Sequence, residues 1–121
     1  MNIRTSFFCC MLIALLANPS VSLGHAFPDH ADPRVGSVIA SSPAQVRIWF
    51  DGALEGVFST LTVQDSSGRR IDKGDGQVSQ SDTTLLQVSL PALPAGTYRA
   101  VWSAVSRDGH RTSGDFQFTV K

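Results

Sequence analysis

A chain of 121 residues carrying ten basic and ten acidic side chains is formally neutral. That leaves room for one domain and offers no electrostatic footprint for nucleic acid or an anionic membrane surface. Both cysteines (Cys9, Cys10) and both methionines (Met1, Met11) fall near the amino terminus, so the rest of the chain has neither a disulfide framework nor thiolate or thioether ligands for a soft metal.

The first segment reads as a leader. Asn2, Ile3 and Arg4 make a short, weakly positive start, and Phe7 to Ala17 form an apolar run too short to span a bilayer. Small Ser22 and Gly24 stand three and one positions before His25, the pattern a signal peptidase accepts. The expectation is a cleaved secretory signal over residues 1–24 and one domain over residues 25–121. A retained anchor would need stop-transfer flanks, and a lipoprotein would need a cysteine at the cut; the sequence has neither. Without disulfides, a hydrophobic core must hold the exported domain together unaided.

His25 would then open the mature chain, where its free amine and ring Nδ1 can close a chelate on one metal ion. Pro28, in fourth place, has no amide N–H to offer. No histidine stands third, which argues against the common square-planar amino-terminal peptide site. Asp32-Pro33 and Ser42-Pro43 bound Val35 to Ala40, read as a short first strand. Val46, Ile48 and Phe50 alternate with Arg47 and Trp49 to give a second strand, ended by Asp51-Gly52. Ala53 to Ser59 reads as a helical turn or an irregular crossing. Leu61 and Val63 form the next strand, followed by a tight turn at Asp65–Gly68 and a short return over Arg69–Asp72. Lys73 to Asp82, polar and glycine-bearing, is a loop or an edge strand. Leu86, Val88 and Leu90 mark another buried strand, and Pro91 to Gly96 a rigid connection.

The clearest period-two pattern comes last. Tyr98, Ala100, Trp102 and Ala104 share one face of a strand, and Phe116, Phe118 and Val120 share one face of its partner. Asp108-Gly109-His110 is the turn between them. The chain thus predicts an all-β domain, a small Greek-key β-sandwich or barrel of about seven strands with no helix of normal length.

Asp108 and His110 are two positions apart, a spacing that lets both side chains converge on one point. With the amine and ring of His25 they make three nitrogens and one carboxylate oxygen. That set favours tetragonal Cu(II), while Zn(II) would take the same donors in a tetrahedral arrangement. The plainer account is a turn-forming aspartate and solvated imidazoles. His30 is an auxiliary candidate that reads as solvent-exposed. Trp49 and Trp102 read as packing residues, and Asp29 and Asp32 as surface charge.

Taken together, several stretches resemble the CopC family of periplasmic copper-binding proteins in its short, methionine-poor form. They are His25-Ala26 directly after the leader, Pro33 to Ser37, the Pro43 to Phe50 strand and Phe58-Ser59. The densest part is Pro94 to Tyr98 with Trp102, Ser106, Asp108-Gly109-His110 and Ser113-Gly114. The resemblance implies a cupredoxin-like (Ig-like) fold holding one Cu(II) per chain through His25, Asp108 and His110. It further implies a non-catalytic periplasmic carrier or buffer in copper uptake, homeostasis or resistance, with a CopD-like inner-membrane transporter as partner. Two departures matter. The methionine-rich loop of Cu(I)-binding members is absent, which implies a Cu(II) site only. Gly52 stands where many relatives carry a glutamate, leaving Asp51 as a weak substitute. The rival readings are a copper-dependent oxidative enzyme with a histidine brace and a metal-free interaction sandwich.

Overall fold

Alternating apolar residues form strands here because each buried side chain removes apolar surface from water while its neighbours stay wet. In the computed structural model, which describes residues 25–121, eight strands result. They are β1 (Pro28–Asp32), β2 (Val38–Ile39), β3 (Gln45–Phe50), β4 (Thr60–Gln64), β5 (Gln77–Val78), β6 (Leu85–Ser89), β7 (Gly96–Val105) and β8 (Arg111–Val120). One 3-10 turn, Gly56–Phe58, lies between β3 and β4. The expected leader, residues 1–24, lies outside the described residues.

The strands make two four-stranded sheets, ordered β1-β3-β6-β5 and β2-β8-β7-β4. Val46, Ile48, Phe50, Leu86 and Val88 face inward from the first, and Leu61, Val63, Ala100, Trp102, Phe116 and Phe118 from the second. This is the expected all-β sandwich. Trp102 meets Phe50 edge-on across the core, ring centroids 5.2 Å apart. Its indole also covers Gly114, where an added Cβ would lie 2.8 Å from the ring. Tyr98 donates its hydroxyl to the Pro94 carbonyl at 2.6 Å, fixing the corner into β7.

The differences from expectation lie at the edges. Val35–Ala40 supplies only the two-residue β2, which runs parallel to β8. The return over Arg69–Asp72 is reduced to a single bridge, Gln64 to Arg70. β5 is an edge strand, one of the two outcomes expected for its segment. β1 had no apolar alternation to announce it: only Ala31 of its five residues is buried, and pairing with β3 holds it in place.

One buried carboxylate braces the second sheet. Asp72 accepts the Val63 amide at 2.8 Å, the Gly74 amide at 2.8 Å and the Arg70 guanidinium at 2.9 Å. Burial pushes its pKa up, but Arg70 and the two amides outweigh that and leave it below the ordinary value.

Candidate metal centre

β7 and β8 are paired over their whole length, from Gly96 with Val120 to Val105 with Arg111, so the turn joining them stands on a rigid base. Ser106 N–H donates to the His110 carbonyl at 2.9 Å, and Gly109 N–H to the Ser106 carbonyl at 2.9 Å. Gly109 has φ +88°, a left-handed conformation that suits glycine and closes a three-residue hairpin loop.

Within this loop the polar side chains form a chain. The buried Ser106 hydroxyl donates to Asp108 Oδ1. The other oxygen, Oδ2, lies 2.7 Å from His110 Nδ1, and the His110 amide reaches Oδ1 at 3.3 Å. The Ser106 hydroxyl, then the His110 ring, hold the Asp108 carboxyl down to about 2. An ionised carboxylate only accepts, so Nδ1 is the donor in this contact.

The arm before β1 brings the second imidazole. Ala26 is buried against the core, and its carbonyl accepts the Thr112 hydroxyl at 2.8 Å. Phe27 N–H donates to Asp51 Oδ1 at 2.8 Å, and Asp51 N–H returns a bond to the Phe27 carbonyl at 2.9 Å. Held this way, the arm places the His25 ring against that of His110, centroids 4.4 Å apart and planes tilted by 41°.

The three residues singled out in the sequence therefore lie in one place as two contacts, His25 with His110 and His110 with Asp108. Among the described residues, no group of three or more histidine, cysteine or acidic side chains is gathered into a preassembled metal cage. Both Asp108 oxygens are engaged by Ser106 and His110, and in the uncut chain the His25 backbone nitrogen is a peptide amide with no lone pair for a metal. Asp51 touches the arm rather than either imidazole. His30 is exposed, as expected, but it is not simply solvated: its ring stacks on Trp49 at 4.5 Å and 8°, with Asp29 on Nδ1 at 2.9 Å. Ser106 was legible only as part of the family pattern, and Thr112 carried no signal at all.

The CopC domain family matches residues 29–121, which takes in the sandwich from the second residue of β1 onward and the Asp108–His110 turn. The chain belongs to the CopC family. The match begins four residues after His25, so the arm lies just outside it. The chain is 34% identical over 118 residues to the copper transport protein CutJ of Bacillus subtilis, covering 97% of this chain but only 22% of that protein. Its fold is similar to the crystal structure of CopC from Methylosinus trichosporium OB3b, with a TM-score of 0.71, 30% identity and coverage of 80% of this chain and 94% of that one. It is also similar to PcoC of Escherichia coli, a methionine-rich copper resistance protein, with a TM-score of 0.63, 28% identity and coverage of 80% and 99%. The nitrogen and oxygen donors at the turn are ones that copper accepts. No helix among the described residues is long and apolar enough to cross a membrane.

Proposed function

We propose that this CopC protein is a periplasmic Cu(II) carrier, loaded with one ion per chain after the leader is cut between Gly24 and His25. The observation that carries the proposal is the meeting of the His25 and His110 rings, 4.4 Å apart, from opposite ends of the domain. Cutting the chain there turns an amide into an amine. That amine and His25 Nδ1 would form a chelate, and His110 and Asp108 would complete the set with a ring nitrogen and an oxygen, the ion displacing the proton that lies between His110 Nδ1 and Asp108 Oδ2. Three nitrogens and an oxygen fill a tetragonal plane and leave little room for substrate, which favours carriage over catalysis. Both methionines of the sequence lie in the leader, in contrast to methionine-rich PcoC, and this supports Cu(II) over Cu(I) as cargo. A CopD-like inner-membrane transporter is the recipient we assign.

The test uses protein exported with its own leader. Its mass should show His25 as the first residue, and one equivalent of Cu(II) should give a type 2 EPR spectrum with nitrogen couplings. A chain retaining Gly24 before His25 should bind far more weakly. Equal affinity with and without that extra residue would remove the terminal chelate and, with it, this function.

A further inference from the structure

We propose that Thr112 is a positioning residue for the copper site, a latch that seats the arm so that His25 reaches His110; this rests on the copper reading above. Only Ala26 and Phe27 separate His25 from the first paired residue of β1, Pro28 opposite Phe50. Their peptide groups are tied to the sandwich from two sides. Asp51 of the β3 end takes both polar groups of Phe27, and Thr112 of β8 takes the Ala26 carbonyl. The Ala26 methyl completes the seat, 1% exposed and facing Gly52, where an added Cβ would lie 3.7 Å away in ordinary contact.

Thr112 is the element that relates the two imidazoles to each other. It lies two residues after His110 on the same chain segment, and its hydroxyl spans 86 positions to the residue next to His25. The β7 pairing at Ala104 fixes its backbone, so the single hydroxyl bond sets where the arm rests relative to the turn. Without it the Ala26 carbonyl loses its side-chain partner, and Asp51 and the packing of the Ala26 methyl are left to hold the arm. Copper would then have to order the arm as it binds, and that cost appears as lost affinity. One hydrogen bond of ordinary net strength corresponds to about a three- to tenfold change in Kd.

Thr112→Val keeps the branched shape and removes the hydroxyl; Thr112→Ser restores it. In exported protein, Thr112→Val should bind Cu(II) about three- to tenfold more weakly, with an unchanged EPR spectrum because no ligand is altered, and Thr112→Ser should return the wild-type Kd. In the copper-free protein, NMR cross-peaks between the His25 and His110 rings should be present in wild type and lost in Thr112→Val. Persistence of those cross-peaks, a Kd within twofold of wild type, or a failure of Thr112→Ser to rescue would overturn the latch. Should Thr112→Val not fold, Thr112→Ala removes the same hydroxyl, and unchanged ring contact in that variant would overturn it equally. A wild-type protein that shows the ring contact but binds no Cu(II) would overturn the copper reading while leaving the latch standing.

Discussion

Two histidines of this protein look alike in the sequence, and the structure treats them differently. His110 has Asp108 on its Nδ1 at 2.7 Å, and His30 has Asp29 on its Nδ1 at 2.9 Å; both rings are more than half exposed. At the turn, however, the carboxylate is itself held by a buried serine and by the His110 amide, inside a loop that Gly109 closes. Asp29 is 68% exposed, and its ring partner lies flat on Trp49, which the Arg47 guanidinium also covers at 5.2 Å. The turn presents its imidazole to a second one, whereas the β1 pair spends its imidazole on packing. A histidine beside an acid thus becomes a candidate ligand only when the acid is fixed and another donor arrives.

Substitutions can break or sharpen that contrast. The largest difference should come from the rings themselves: His110→Ala should weaken Cu(II) binding by at least about a hundredfold, against less than about twofold for His30→Ala, measured by chelator competition. Equal losses would erase the distinction between the two pairs. Releasing the acid comes next. Ser106→Ala should cost about ten- to a hundredfold in Kd by freeing Asp108, while Asp29→Ala should leave Kd unchanged.

Asp72 extends the contrast to a fixed carboxylate whose partners are Val63, Gly74 and Arg70. Removing it in Asp72→Ala leaves the Val63 and Gly74 amides without their partner and should cost about 2 kcal/mol in urea denaturation. Its folded pKa lies below the ordinary 3.8, so the stability it contributes is fully present above that value and is lost as pH falls through the lower, folded pKa. Wild type should therefore lose stability more steeply than Asp72→Ala in acid titrations below about pH 4. The smallest effect belongs to the stack: His30→Ala should cost about 0.5 kcal/mol and change Trp49 emission without altering copper affinity.

The parts of the fold that could be read from the sequence are those in which burial writes a period. β3, β6, β7 and β8 alternate cleanly, and their inward residues are the core. β1 was illegible because its place depends on backbone pairing to β3 and not on its own side chains. The Asp108-Gly109-His110 turn was visible as a turn, and its closeness to His25 came from family resemblance, since no local pattern records which ends of a sandwich meet. Thr112 was hidden for the same reason, and Ser106 showed only within the family pattern. A hydroxyl in a strand or before a turn looks like any other until its partner, 86 positions away for Thr112, is known.

The seating of Ala26 against β8 also bears on how long the protein survives. An ion shared by His25 and His110 would close a covalent-coordinate ring around almost the entire domain, and closing so long a ring takes entropy from the unfolded chain. Filled and empty molecules would then differ in lifetime as well as in cargo, with proteases clearing the empty ones first.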